Sequence, residues 1–228
     1  MTKIIVLFRP SLKYEQFYLF FVWIIVKQMK EKLIFHPWRV FTYLSILGIS
    51  SAFLTLLSCL AFTWSINPIP LFNLPSIFHA NTIIMLISSY SILQVKNSLS
   101  SDSHEQMRFN IWVTIGLGFL FMIFQLIGWR ELSLSGIDFK KNITATYIYL
   151  LSGLHMLHLI VGIGWLVFIA IRNTNLQRDA VELLLFETSP SEKLKINMAI
   201  LYWHFVDILW MCLYVFFLFT LYSNSFLH

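Results

Sequence analysis

The chain has 228 residues, of which 58% are hydrophobic and 12% charged; 22 are phenylalanine and the formal net charge is +5. Ordinary soluble domains carry roughly a quarter charged residues. A coat this thin excludes a soluble enzyme, a disordered chain and, with two cysteines, a disulfide scaffold, and leaves an integral membrane protein.

Residues 1–38 read as an N-terminal extension. Its apolar stretch Phe17–Val26 lies between Lys13 and Lys27 and is too short to span a bilayer. It is an interfacial helix, the hydrophobic part of a signal peptide, or a sequence upstream of a true start at Met29. Residues 39–228 read as one five-helix domain. Spans are predicted at Val40–Trp64, Ser76–Val95 behind Pro75, Ile111–Trp129, Ile143–Ile171 and Asn197–Tyr222. The Arg172–Ile196 connection is polar and reads as surface structure, with a short amphipathic helix near Ala180–Phe186. Cys59 and Cys212 fall inside apolar runs and match no metal or CxxC spacing, so they read as packing residues.

Loop charge sets orientation. Lys3, Arg9, Lys13, Lys27, Lys30, Lys32, Arg39, Lys96, Arg108, Arg172, Arg178, Lys193 and Lys195 all fall on one side of the predicted topology. They are thirteen of the 16 basic residues. The fold class is therefore an all-α, polytopic helix bundle with the N-terminus inside and the C-terminus outside. In this setting the positive charge reports topology rather than nucleic-acid binding.

Ionisable groups inside spans are costly and are functional candidates. Asp207 is the one acid well inside a predicted span. His79 lies near the outer end of the second span, His155 and His158 in the fourth, and His204 in the fifth. His155 and His158 are three apart and share a helix face, as do His204 and Asp207. Trp203 and Trp210 flank the aspartate. Gly153 and Gly162 would let a helix or a lipid tail approach closely. The simplest arrangement packs the last two spans together, with Asp207 hydrogen-bonded to His155 or His158. Three readings compete. Haem ligation needs histidines on facing helices, which only a pair with His204 provides. A proton relay needs titratable groups that the first three spans scarcely offer. A structural node that holds helices and lipid headgroups in register needs neither.

Tyr202-Trp203-His204-Phe205-Val206-Asp207-Ile208-Leu209-Trp210 resembles the YWHFVD-x-x-W signature of subunit III of the haem–copper cytochrome oxidases. Gly153-Leu154-His155-Met156-Leu157-His158 with Gly162 is similar to that family's G-x-H-x-x-H-x-x-x-G stretch. Pro75 through Asn81-Thr82 to Ser88-Ser89, and Gln125 with Trp129, are weaker matches in the right order. The resemblance covers Arg39–Tyr222, and five spans with an inside N-terminus look like the five-helix bacterial form.

The resemblance implies a non-catalytic subunit with no haem, copper or other cofactor of its own. It would stabilise subunit I and bind phospholipid. Haem and copper would reside in the partner subunits I and II, with a respiratory supercomplex as a further partner. The complex would reduce oxygen with electrons from cytochrome c and translocate protons. The alternatives are a quinol oxidase subunit III, a nitric oxide reductase accessory protein, or a haem-binding membrane cytochrome. By the same resemblance His155, His158, Trp203, His204 and Asp207 form the interior polar node. Arg39, which matches a basic residue of the family at the inner edge of the first span, is an expected lipid headgroup contact, and His36, Trp38 and His79 are further candidates for that role. The implied location is the bacterial plasma membrane, with the mitochondrial inner membrane as the alternative. Two departures stand out. Relatives often carry a buried glutamate where Ile49-Ser50-Ser51 lies here, and another shortly after the glutamine of the third span, where this chain has Gly128.

Overall fold

The computed structural model describes residues 37–66, 75–101, 103–137, 142–176 and 189–225. They form five helices: α1 Pro37–Ile66, α2 Ser76–Ser100, α3 His104–Leu134, α4 Ile143–Leu176 and α5 Pro190–Ser225. There is no strand among the described residues. All five helices are long and apolar enough to cross a membrane. At 25 to 36 residues and about 1.5 Å per residue, they exceed a hydrocarbon core of about 30 Å. The predicted segments Phe17–Val26 and Ala180–Phe186, together with Met29 and His36, lie outside the described residues.

The helices run past the apolar stretches that predict them. α3 starts at His104 rather than Ile111, and its polar first two turns continue the same backbone ladder. The connection predicted at Arg172–Ile196 is shorter than its polar composition indicates. α4 carries on to Leu176, and α5 begins at Pro190, at a first helical position where proline loses no hydrogen bond. Glu192 stands in that first turn, where the helix dipole favours an acid. It binds Arg172 at 3.2 Å and Lys195 at 2.8 Å.

The chain divides into two compact units, Met1–Phe62 and Thr63–His228, and the division falls within α1. In the first unit the hydroxyls of α1 turn back on their own helix. Thr42, Ser45, Ser50, Ser51, Thr55 and Ser58 donate to backbone carbonyls three or four residues earlier, at 2.7–2.9 Å.

In the second unit α2–α5 close a four-membered ring of antiparallel neighbours. α2 packs on α3, α3 on α4, α4 on α5, and α5 back on α2. The α2–α3 pair is the most extensive, and glycine explains its closeness. A Cβ on Gly128 would sit 3.0 Å from both Ile77 Cγ2 and Phe78 Cε2. A glutamate side chain therefore has no room at Gly128 unless α2 and α3 part.

The turn after α3 is closed by Gly136 at φ +84°, a left-handed position that glycine adopts without strain. Ile137 N–H donates to Leu132 O at 3.1 Å. Tyr149 of α4 then donates its hydroxyl to Ile137 O at 2.9 Å and to Trp129 O at 3.2 Å, tying the α3–α4 corner to the bundle. α4 opens on Asn142, whose side-chain oxygen accepts from Thr144 N–H at 2.8 Å, as an N-cap does.

Candidate functional site

α5 is the most buried of the membrane-length helices. Its centre holds two fully buried tryptophans, Trp203 and Trp210, seven residues or about two turns apart and so on one face. Trp203 donates its indole N–H to Ser88 Oγ at 2.9 Å, and Trp210 donates to Thr82 Oγ1 at 3.3 Å. Thr82 can accept because its own proton goes to Phe78 O. The two indoles thus fix the register of α5 on α2. Interhelical bonds of this kind average about 0.6 kcal/mol in membrane proteins.

Trp203 reaches the bundle interior because two glycines make way. A Cβ on Gly118 of α3 would lie 3.1 Å from Trp203 Cη2, and one on Gly162 of α4 would lie 3.2 Å from Trp203 Cε3. Gly153 behaves differently: a Cβ there would meet Trp129 at an ordinary 3.6 Å. Of the two glycines singled out from the sequence, only Gly162 is required by packing, and what approaches it is an indole of the same chain. Tyr202 donates to His158 O at 3.1 Å and completes the α4–α5 seam.

Trp210 is the hub of the interior. Its ring stacks on Phe78 of α2 at 6.3 Å, meets Phe121 of α3 edge-on at 4.8 Å, and lies 5.2 Å from the His155 ring of α4. His155 is wholly buried, lies 5.5 Å from Phe121, and has neither ring nitrogen in a hydrogen bond. His158, one turn on, is partly exposed and donates Nδ1–H to Leu154 O at 2.6 Å.

Asp207 occupies a different place from the one its spacing suggests. No hydrogen bond joins it to His155 or His158, so the expected Asp207–histidine bond across α4 and α5 is not formed. Trp210 fills the space beside His155, and His158 is committed to its own helix. The neighbours of Asp207 are instead on the α2 side. His204 Nδ1 lies 3.9 Å from Asp207 Oδ2 and is hydrogen-bonded to Ser89 Oγ at 3.0 Å; that hydroxyl also lies beside the carboxylate. The five node residues therefore separate into His155 against Trp210 and Phe121, Trp203 between Gly118, Gly162 and Ser88, a polar flank (His204 and Asp207 with Ser89), and His158 on the α4 seam.

A second polar contact sits deeper in the α2–α3 interface. Asn81 donates Nδ2–H to Gln125 Oε1 at 3.1 Å, and both residues are fully buried. Among the expected headgroup residues, Trp38 and Arg39 occupy the first turn of α1. His79 is exposed on α2 and is hydrogen-bonded through Nδ1 to the Tyr214 hydroxyl. Among the described residues no group of three or more His, Cys, Asp or Glu side chains is placed to hold a metal ion. A haem on His155 would have to displace Phe121 or Trp210.

The family description "Cytochrome c oxidase subunit III" matches residues 24–222 of the chain. The chain belongs to the cytochrome c oxidase subunit III family. Among curated members, "Cytochrome c oxidase subunit 3" of Spodoptera frugiperda is 30% identical over 151 residues, 66% of this chain and 92% of that one. The protein of that name from Gallus gallus is 30% identical over 135 residues, 59% of this chain and 47% of its own length. The one from Anopheles quadrimaculatus is 30% identical over 156 residues, 68% and 55%. The chain thus spans about half the length of most of the subunit III relatives it matches. In this member of the family, the residues that sequence reasoning left in the background are the acceptors. Ser88, Ser89 and Thr82 receive or share the α5 bonds, and Phe121 walls His155. The Asn81-Thr82 and Ser88-Ser89 pairs were the available signal.

Proposed function

We propose that the chain is the non-catalytic third subunit of a respiratory cytochrome c oxidase. It packs against subunit I, with haem and copper carried by subunits I and II, and binds phospholipid at its helix ends. The N-terminus lies inside and the C-terminus outside, in a bacterial plasma membrane or a mitochondrial inner membrane. The observation that carries this reading is the family match over residues 24–222. The geometry supports a scaffold. Tyr202, Trp203 and Trp210 of α5 donate to neighbouring helices of the same chain, and Asp207 lies about 15 Å by helix rise from Asn197, where the apolar span begins, near the middle of a core of about 30 Å and too deep for a headgroup.

The test is affinity purification of the full chain in mild detergent, with mass spectrometry of partners and a visible spectrum. Co-purification of a haem-bearing subunit I and a copper-bearing subunit II supports the proposal. A haem-bearing partner with no copper-bearing subunit II would move it to a quinol oxidase. Absence of any haem-bearing partner would overturn it.

A further inference from the structure

The His79–Tyr214 pair is absorbed neither by the interior node nor by the family signature. Tyr214 stands one turn after Trp210 and three turns after Trp203. All three side chains lie along one stripe of α5, at axial steps of about 10 Å and about 6 Å. The two indoles are fully buried, Tyr214 is half-buried and His79 is exposed. The stripe therefore runs from the bundle interior to an open end.

The hydrogen-bond partners along the stripe differ in kind. Trp203 and Trp210 donate to the hydroxyls of Ser88 and Thr82, which are not bases, so an oxidised indole there has nowhere to send its proton. Tyr149 and Tyr202 donate to backbone carbonyls, which take no proton either. Tyr214 is paired with an imidazole nitrogen across the α2–α5 seam, with the rings edge-on at 5.7 Å. Imidazole is the side chain suited to accept a proton near neutrality.

We propose that Tyr214 is a redox-active tyrosine, oxidised by one electron as its phenolic proton passes to His79, at the end of the Trp203–Trp210–Tyr214 line. With the His79 tautomer protonated at Nε2, the Tyr214 hydroxyl donates to Nδ1. One electron leaves Tyr214 through Trp210 to a one-electron oxidant, which is reduced by one. The O–H bond breaks and the proton forms an N–H bond on Nδ1, leaving a neutral tyrosyl radical beside an imidazolium. A one-electron reductant of the ascorbate class and the returning proton restore the pair. Under the proposed function, on which this role rests, the oxidant arises in the oxygen-reducing subunit and the line draws oxidising equivalents away from it.

The test uses the full chain in lipid nanodiscs with photogenerated tris(bipyridine)ruthenium(III) as oxidant. Electron paramagnetic resonance should show a tyrosyl radical that is lost in Tyr214→Phe. In His79→Phe the tyrosyl signal should be replaced by an indole radical, and in wild type the tyrosyl radical should form more slowly in D2O. A tyrosyl signal that persists in Tyr214→Phe, or is indifferent to both His79→Phe and D2O, overturns the proposal. Because the ruthenium complex replaces the partner, this result stands apart from the co-purification that tests the oxidase reading.

Discussion

Trp203 on α5 occupies the space that Gly162 on α4 leaves open, with its Cε3 3.2 Å from where a Cβ at residue 162 would be. The indole therefore depends on a residue on another helix having no side chain. Gly162→Ala should lower stability in detergent by about 1–3 kcal/mol, the usual cost of overpacking. Gly164→Ala, with nothing within 4 Å of the new Cβ, should be neutral or slightly stabilising. Graded denaturation of the two variants checks the contrast. Equal effects would show that Trp203 can move aside.

The Trp203–Ser88 bond should behave as a coupled pair. Trp203→Phe and Ser88→Ala in a double-mutant cycle should give a coupling energy near 0.6 kcal/mol, with about 1.7 as an upper bound. A coupling of zero would mean that the bond contributes register but no stability.

Asn81 and Gln125 illustrate the asymmetry of buried polar pairs. Either single change to leucine strands one amide in the α2–α3 interface and should cost about 1–3 kcal/mol. The double change removes both polar groups and should recover part of that loss. Unfolding of the three variants decides it; a double variant as poor as the two losses added would point to packing instead.

The surroundings of Asp207 can be read by infrared spectroscopy of its carboxyl group. Its band should shift in Ser89→Ala and in His204→Phe, whose side chains lie beside it. It should hardly respond to His155→Phe, whose ring lies against Phe121 and Trp210. The reverse pattern would return Asp207 to α4.

Glu192 holds two partly exposed cations, Arg172 and Lys195. Glu192→Gln should cost no more than about 1 kcal/mol, because such pairs are solvent-screened, and the loss should shrink further at high salt. Stability compared at low and high ionic strength checks this.

The number and order of the helices were legible because about 20 apolar residues is a length set by the bilayer. Their ends were not. Hydropathy registers the hydrocarbon core, whereas a helix such as α3 keeps its ladder through His104–Asn110 without needing lipid. The site was legible one helix at a time. Spacing placed His204 with Asp207 and His155 with His158, but spacing carries no information about which other helix lies opposite. Ser89 is 115 residues from His204, and only the α2–α5 packing brings it to the aspartate. Gly162 was noticed as a place of close approach, yet the occupant is an aromatic side chain that nothing in the local pattern assigns.

Serine and threonine serve different partners on α1 and α2. On α2 Thr82, Ser88, Ser89 and Ser91 meet α3 or α5, so a neighbour in the wrong register would strand polar atoms. On α1 six hydroxyls are already satisfied by carbonyls of the same helix. Rotating or sliding α1 against a neighbour breaks none of those bonds. The α2 surface is thus addressed by chemistry and tolerates little drift. A neighbour sliding along this stretch of α1 strands no hydroxyl proton, and what it still finds there are oxygens able to accept a bond, as back-bonded Thr82 does on α2.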